Sequence, residues 1–156
     1  IQTAKALNVI QPDFIRVHAT GIKSESKLGE FVRDGSFTLQ SEEEIVIEQK
    51  LFLQQLHEMD SYYVNEHIVN LLLEVRGNLR TEKQEMLSTI DRFLTLPPDE
   101  RLLFAVGRRL NIFFRLDDLK KPKLYQKAGE SLQQILSKNP HVDFAALCNY
   151  VRQSQI

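Results

Sequence analysis

Several side chains in this 156-residue sequence have types and spacings that invite chemistry. On a helix, His67, Asn70, Leu71 and Glu74 would share one face, where an imidazole and a carboxylate can act as ligands or as an acid–base pair. The simpler reading is that His67 and Asn70 satisfy backbone groups at a turn. No HExxH is present and His18, His57 and His141 are scattered, so a dedicated metal site is not expected. Cys148, the sole cysteine, falls on the stripe Phe144, Leu147, Cys148, Val151 and reads as a small buried hydrophobe rather than a nucleophile. One thiol excludes an intrachain disulfide and any multi-cysteine zinc or iron–sulfur site held within these residues. Arg108 and Arg109, with Arg101 and Arg115 near them, form a local basic cluster suited to a phosphate or carboxylate, or to an intramolecularly paired or solvated face. Arg16 differs, because it sits inside the apolar run Phe14 to Ala19, where a charge needs a partner or a polar cavity. There is no Gly-x-Ser-x-Gly and no P-loop.

These residues need elements to position them, and the composition suits a globular protein: 42% hydrophobic, 26% charged, with few glycines and prolines. Lys plus Arg total 20 against 21 acidic residues, so no global field draws nucleic acid or an anionic membrane. No apolar run approaches the roughly 18 residues of a membrane span, and the lone cysteine makes a cytoplasmic setting the expectation. Residues 1–8 read as the tail of a helix already under way, with something expected before it. Pro12 and Gly21 bracket the strand Phe14–Ala19, for which Phe37–Leu39 and Tyr62–Val64 are only weak neighbours. The strand is therefore expected to belong to a sheet lying mostly outside the chain.

From Ser24 onward the pattern is helical. Ser41 and Glu44 form a capping box opening a helix to about Met59, on which Ile45, Phe52, Leu56 and Met59 face one way and Ile47 and Leu51 nearly the opposite way. Asn65 can cap a second helix through Val75, stopped by Gly77. Thr81 with Gln84 makes a further capping box before the stripe Met86, Leu87, Ile90, Phe93. Pro97-Pro98 ends that helix and opens the next. Helices from Pro122 to about Lys138 and Pro140 to about Gln153 should form a hairpin joined at Asn139. The expected fold is mainly α: a compact multi-helix array of about six helices with one to three short strands. Residues 1–156 read as one unit, with a soft boundary at 117–122.

Several blocks together resemble a known group. Ala6 to Val17 (ALNVIQPDFIRV) is similar to the stretch near the end of the catalytic barrel in bacterial radical SAM proteins of the iron–sulfur oxidoreductase type. So are Gly35-Ser36-Phe37 with the acidic helix 42–48, Glu66 to Leu72 leading to Val75-Arg76-Gly77, Ile90 to Leu94, Phe104 to Leu110, and Leu116 to Leu119. The likeness runs from about residue 4 to 119. It departs at Glu66, His18 and Leu79-Arg80, where the group favours Asp, Arg and Leu-Pro. It implies that residues 1–22 close a barrel, that 23–119 form a helical extension, and that 120–156 add a hairpin outside the match.

The resemblance further implies a parent enzyme with a [4Fe-4S] cluster and S-adenosylmethionine, acting on an unknown substrate. This chain would be its C-terminal accessory region, not catalytic alone, with the N-terminal barrel as its partner or self-association through the unpaired strand. Arg16 and His18, at the end of the last barrel strand, become the cofactor-side candidates. A different class remains open: a free-standing helical interaction module docking through Ile47, Leu51 and the Arg108 cluster. Exposed apolar surface around the first strand separates the two. Nucleic-acid binding through Arg101, Arg108, Arg109 and Arg115 is the weakest reading, since the chain carries no positive surplus.

Overall fold

A computed structural model describes residues 2–153. It is mainly helical, as expected, with a small sheet. The elements are α1 (Gln2–Ile10), β1 (Phe14–Arg16), α2 (Lys27–Arg33), α3 (Glu42–Gln55), β2 (Tyr62–Val64), β3 (Gly77–Asn78), α4 (Lys83–Leu94), α5 (Pro98–Arg109), a 3-10 turn (Leu116–Lys120), α6 (Pro122–Lys138) and α7 (Phe144–Gln153). None of the described helices is long and apolar enough to cross a membrane.

The locally coded boundaries hold. Ser41 Oγ accepts from the Glu44 amide at 3.2 Å while the Glu44 carboxylate accepts from the Ser41 amide at 2.8 Å, which fixes the start of α3. Pro98 and Pro122 each open a helix at the first turn, where a missing N–H costs nothing. The far end of α3 comes earlier than Met59. Leu56 is extended, and the Asn8 side-chain amide donates to Gln55 O at 2.9 Å and accepts from the His57 amide at 2.8 Å. A residue nearly fifty positions away thus supplies the partners that end the helix.

Three expected elements are corrected. Residues 65–76 contain no helix. Asn65 Nδ2 donates to Leu72 O at 2.6 Å and Asn70 Nδ2 to Asn65 O at 3.1 Å, so side-chain amides take the backbone groups that a helix would use. Val69, Leu71, Leu72 and Val75 are all buried along this irregular stretch. Second, α4 starts without the Thr81–Gln84 box. Glu82 is its cap position, and its carboxylate instead accepts from the Asn78 amide at 2.7 Å. Third, α6 and α7 each pack on α5 rather than chiefly on one another. α7 begins at Phe144, after Asp143 Oδ1 has accepted from the Ala145 and Ala146 amides at 2.9 and 3.1 Å.

The first strand does find a neighbour within the chain. β1 pairs parallel with β2, Ile15 opposite Tyr63, and β2 pairs antiparallel with β3. Phe37–Leu39 is not a strand. The order β1-β2-β3 leaves β1 at an edge, so the expectation of a sheet mostly outside the chain is corrected on one side only. One hydrophobic cluster runs from Ala4 to Ala128 and crosses residues 117–122, which therefore do not divide the core. Its centre is aromatic: the Phe104 ring lies 5.9 Å from Phe93 and 5.8 Å from Phe113.

Gly107 on α5 makes room for that stack, because a Cβ there would overlap the Phe113 ring. Phe113 is fully buried and cannot retreat. Gly107→Ala gains about 1 kcal/mol of helix propensity but overpacks the core by about 1–3 kcal/mol. The expected net result is a lower urea midpoint with an unchanged slope; an unchanged or raised midpoint contradicts it.

Candidate functional site

A cavity of about 550 Å³ opens beside α3. Ile45, Phe52, Leu28 and Phe37 give it apolar walls, while His18, Gln49, Tyr63, Asn70 and Arg152 contribute polar atoms. One wall is the segment 17–22 that continues β1, and it is held by two side-chain amides. Asn70 Nδ2 donates to Val17 O at 2.8 Å and Asn70 Oδ1 accepts from the Ala19 amide at 2.6 Å. Asn149, on α7, accepts from the Ile22 amide at 2.8 Å and donates back to Ile22 O at 3.0 Å. Each carboxamide replaces a neighbouring strand, so the segment is ordered without regular structure. Asn70 thus satisfies backbone groups, as its simpler reading had it. Gln49 Nε2 donates to the Tyr63 hydroxyl at 3.2 Å, and burial pushes the Tyr63 phenol well above its usual range.

Next to the cavity lies a buried ion cluster. Glu42, on the first turn of α3, receives the guanidinium fork of Arg109, Nε to Oε1 at 3.1 Å and Nη2 to Oε2 at 2.5 Å. Arg152 Nη1 also donates to Glu42 Oε1. Arg109 Nη1 reaches Val69 O at 2.8 Å, and Arg108 Nη2 reaches Ile68 O at 2.6 Å. The three arginines are at most 3% exposed and Glu42 is 7% exposed, so these charges stand out of water. Burial, and then the neighbouring Arg109 charge, bring the Arg108 guanidinium down to about 10. Cys148 belongs to the same region; burial first, then the Glu42 charge, push its thiol up to about 12. A thiol so disposed is no nucleophile at neutral pH, in keeping with its sequence reading.

The sequence candidates distribute unevenly around this geometry. His18 and Asn70 line the cavity, and His67 stacks on His18 with centroids 4.1 Å apart and planes at 23°. No helix carries His67, Asn70 and Glu74, so the shared-face acid–base arrangement is corrected. Arg16 is corrected as well: on the pleated strand Ile15 turns inward and Arg16 outward, so its charge is solvated and needs no partner. Arg108 and Arg109 are neither a solvated face nor available for docking, which removes the arginine half of the interaction-module surface. Ile47 and Leu51 on α3 do remain exposed. Arg101 pairs with Glu43 at 2.9 Å and caps Leu94 O and Leu96 O. Among the described residues no group of three or more His, Cys, Asp or Glu is placed to hold a metal ion.

Sequence reasoning missed Glu42, Gln49, Asn149 and Arg152. For Arg152 a signal exists, since it lies one turn beyond Cys148 on the apolar stripe. For Glu42 none does, because an acidic residue in a first helical turn needs no further explanation than the helix dipole.

Glu42→Gln leaves the buried guanidiniums of Arg109 and Arg152 without their carboxylate and should cost about 3–5 kcal/mol, read as a fall in the urea midpoint. A cost below 1 kcal/mol would show that the cluster is open to water. Desolvation, then the His67 and Arg16 charges, hold the His18 imidazole below 6.5. Between that lowered value and 6.5 the unfolded chain binds the proton and the folded chain does not, so stability falls as pH drops through this window. Titration followed by NMR should find His18 below 6.5 and moved part of the way back by His67→Gln. An unmoved His18 would remove the coupling between the rings.

Among known proteins the chain matches no family model, no curated sequence and no solved structure, so its function is argued from the residues themselves.

Proposed function

We propose that the chain is the C-terminal accessory region of a radical SAM enzyme, closing the last strand of a barrel and covering it with helices. The observation that carries this reading is the open edge of β1. Asp13 O and Val17 N bond to β2, so by alternation the peptide groups of Phe14 and Arg16 point away from it. Parallel strands are rarely left uncovered, and an unpaired edge is a site for strand addition. Just ahead of it in the chain Val9 and Ile10 are 84 and 68% exposed, and on it Phe14 is 70% exposed, its ring 6.5 Å from the half-exposed Tyr62 ring. Exposed apolar groups around the first strand are what a piece of a larger sheet would present. The partner in this reading is the N-terminal barrel, in the cytoplasm.

The [4Fe-4S] cluster and S-adenosylmethionine of such an enzyme would belong to that barrel. The chain's own residues do not fit the cluster, which needs several thiolates. Cys148 is single, buried and held in the thiol form. No step of radical chemistry is therefore assigned to these residues, and the helices serve as cover and support.

The deciding test is the in-frame coding sequence ahead of residue 1. A Cys-x3-Cys-x2-Cys roughly 150–250 residues upstream, the span of most of a barrel, supports the proposal. A start codon directly before residue 1 with no such motif overturns it. A second expectation concerns the isolated chain. Sedimentation equilibrium should show self-association that rises with concentration, and Phe14→Lys should abolish it by placing a charge on the edge.

A further inference from the structure

Independently of that reading, we propose that the cavity beside α3 binds a small amphipathic monocarboxylate, its carboxylate on Arg152 and its apolar body against Leu28, Ile45 and Phe52. The argument starts from charge. Arg108, Arg109 and Arg152 are buried against one buried carboxylate, Glu42. Even when the half-buried Glu74, which acts on Arg108 across space, is counted in, one positive charge is left over. A buried charge needs a counterion, and an anion is the missing piece.

Arg152 is where the deficit meets open space. The Arg109 fork already engages both oxygens of Glu42, so Arg152 shares Oε1 through Nη1 alone. Its Nε is buried with no hydrogen-bond partner, although the residue is 2% exposed. Arg152 also lines the cavity. A guanidinium with an unused Nε offers a carboxylate a charge-assisted hydrogen bond once the side chain turns that enclosed donor toward the cavity. The other unpartnered donors, Arg108 Nε and Nη1, belong to a residue that does not line the cavity.

The walls supply the rest of the specification. A volume of about 550 Å³ falls within the usual range for small-molecule sites. Its apolar side chains come from α2, α3 and the segments flanking them, while Gln49 and Tyr63 satisfy each other. The one acidic residue in the lining, Glu48, is exposed. An inorganic anion would satisfy Arg152 and leave the apolar walls wet; a neutral hydrocarbon would fill the walls and leave Arg152 unpaired. A molecule carrying both features answers both.

The test is isothermal titration of the full chain with octanoate, octanamide and inorganic phosphate. Octanoate should bind at one site, octanamide about tenfold or more weakly, and phosphate without measurable heat. Arg152→Met should weaken octanoate about tenfold and leave octanamide unchanged. Arg152→Lys, which keeps the charge but not the fork, should fall between and stands in if the Met variant does not fold. Leu28→Trp narrows the cavity at its apolar wall, away from the ion cluster, and should weaken octanoate binding about tenfold or more. Equal affinity for octanoate and octanamide, octanoate binding unaffected by Leu28→Trp, or no saturable binding up to about 10 mM would each overturn the proposal.

Discussion

Glu42 is the residue on which the arrangement of this molecule turns. Its carboxylate joins the first turn of α3 to the last turn of α5 through Arg109 and to the end of α7 through Arg152, partners 67 and 110 positions away. Taking these ions out of water is costly, and the cost is offset only because the fork geometry of Arg109 is complete and Val69 O accepts its remaining donor. The cluster thereby specifies rather than simply stabilises. An apolar contact tolerates sliding; a guanidinium fork on a shared carboxylate fixes three helix ends in one register. α7 shows the consequence. Its buried residues are Cys148, Asn149 and Arg152, two of them polar, so it is seated by hydrogen bonds to Ile22 and Glu42 more than by hydrophobic area.

The same economy of means recurs where regular structure stops. Three asparagine side chains act as surrogate peptide groups: Asn8 at the end of α3, Asn70 on Val17 and Ala19, and Asn149 on Ile22. A carboxamide presents one acceptor and a donor group side by side, which is the pattern a neighbouring strand would offer. Two of the three hold the segment 17–22 and so shape the cavity wall. The wall is consequently fixed at both ends, and the cavity is a preformed space rather than a gap between mobile loops.

What was legible in the sequence was what depends on near neighbours. The capping box at Ser41, the prolines at 98 and 122 and the stripe on α4 are local signals, and they place those helices well. Residues 65–76 defeated the same reasoning because Asn70 has its decisive partners at Val17 and Ala19, more than fifty positions away. Arg16 differs from its sequence expectation for another reason: a charge within an apolar run suggests a partner or a polar cavity, whereas Phe14 and Arg16 both lie on the exposed face of an edge strand. The Arg108-Arg109 pair carried a real signal of unusual chemistry, but its burial is set by Glu42 and by carbonyls of the 65–76 segment. No spacing along α5 records that. His18 and Arg152 line the same cavity, and for Arg152 the signal, a charge on the Cys148 stripe, was present but passed over.

The open strand edge and the cavity are consecutive in the chain, and this adjacency constrains any account of function. The edge peptides are those of Phe14 and Arg16; the cavity wall begins at Val17, and His18 follows. A strand added to β1 would cover Phe14 and carry its own side chains past Arg16 toward His18. Arg16 already acts on the His18 imidazole through space, so covering the edge would strengthen that field by excluding water from between them. Arg152, which also lines the cavity, stands on α7 and not on β1. In the two proposals the strand edge takes the partner chain and the cavity the small ligand, with the clamped segment 17–22 lying between β1 and the cavity.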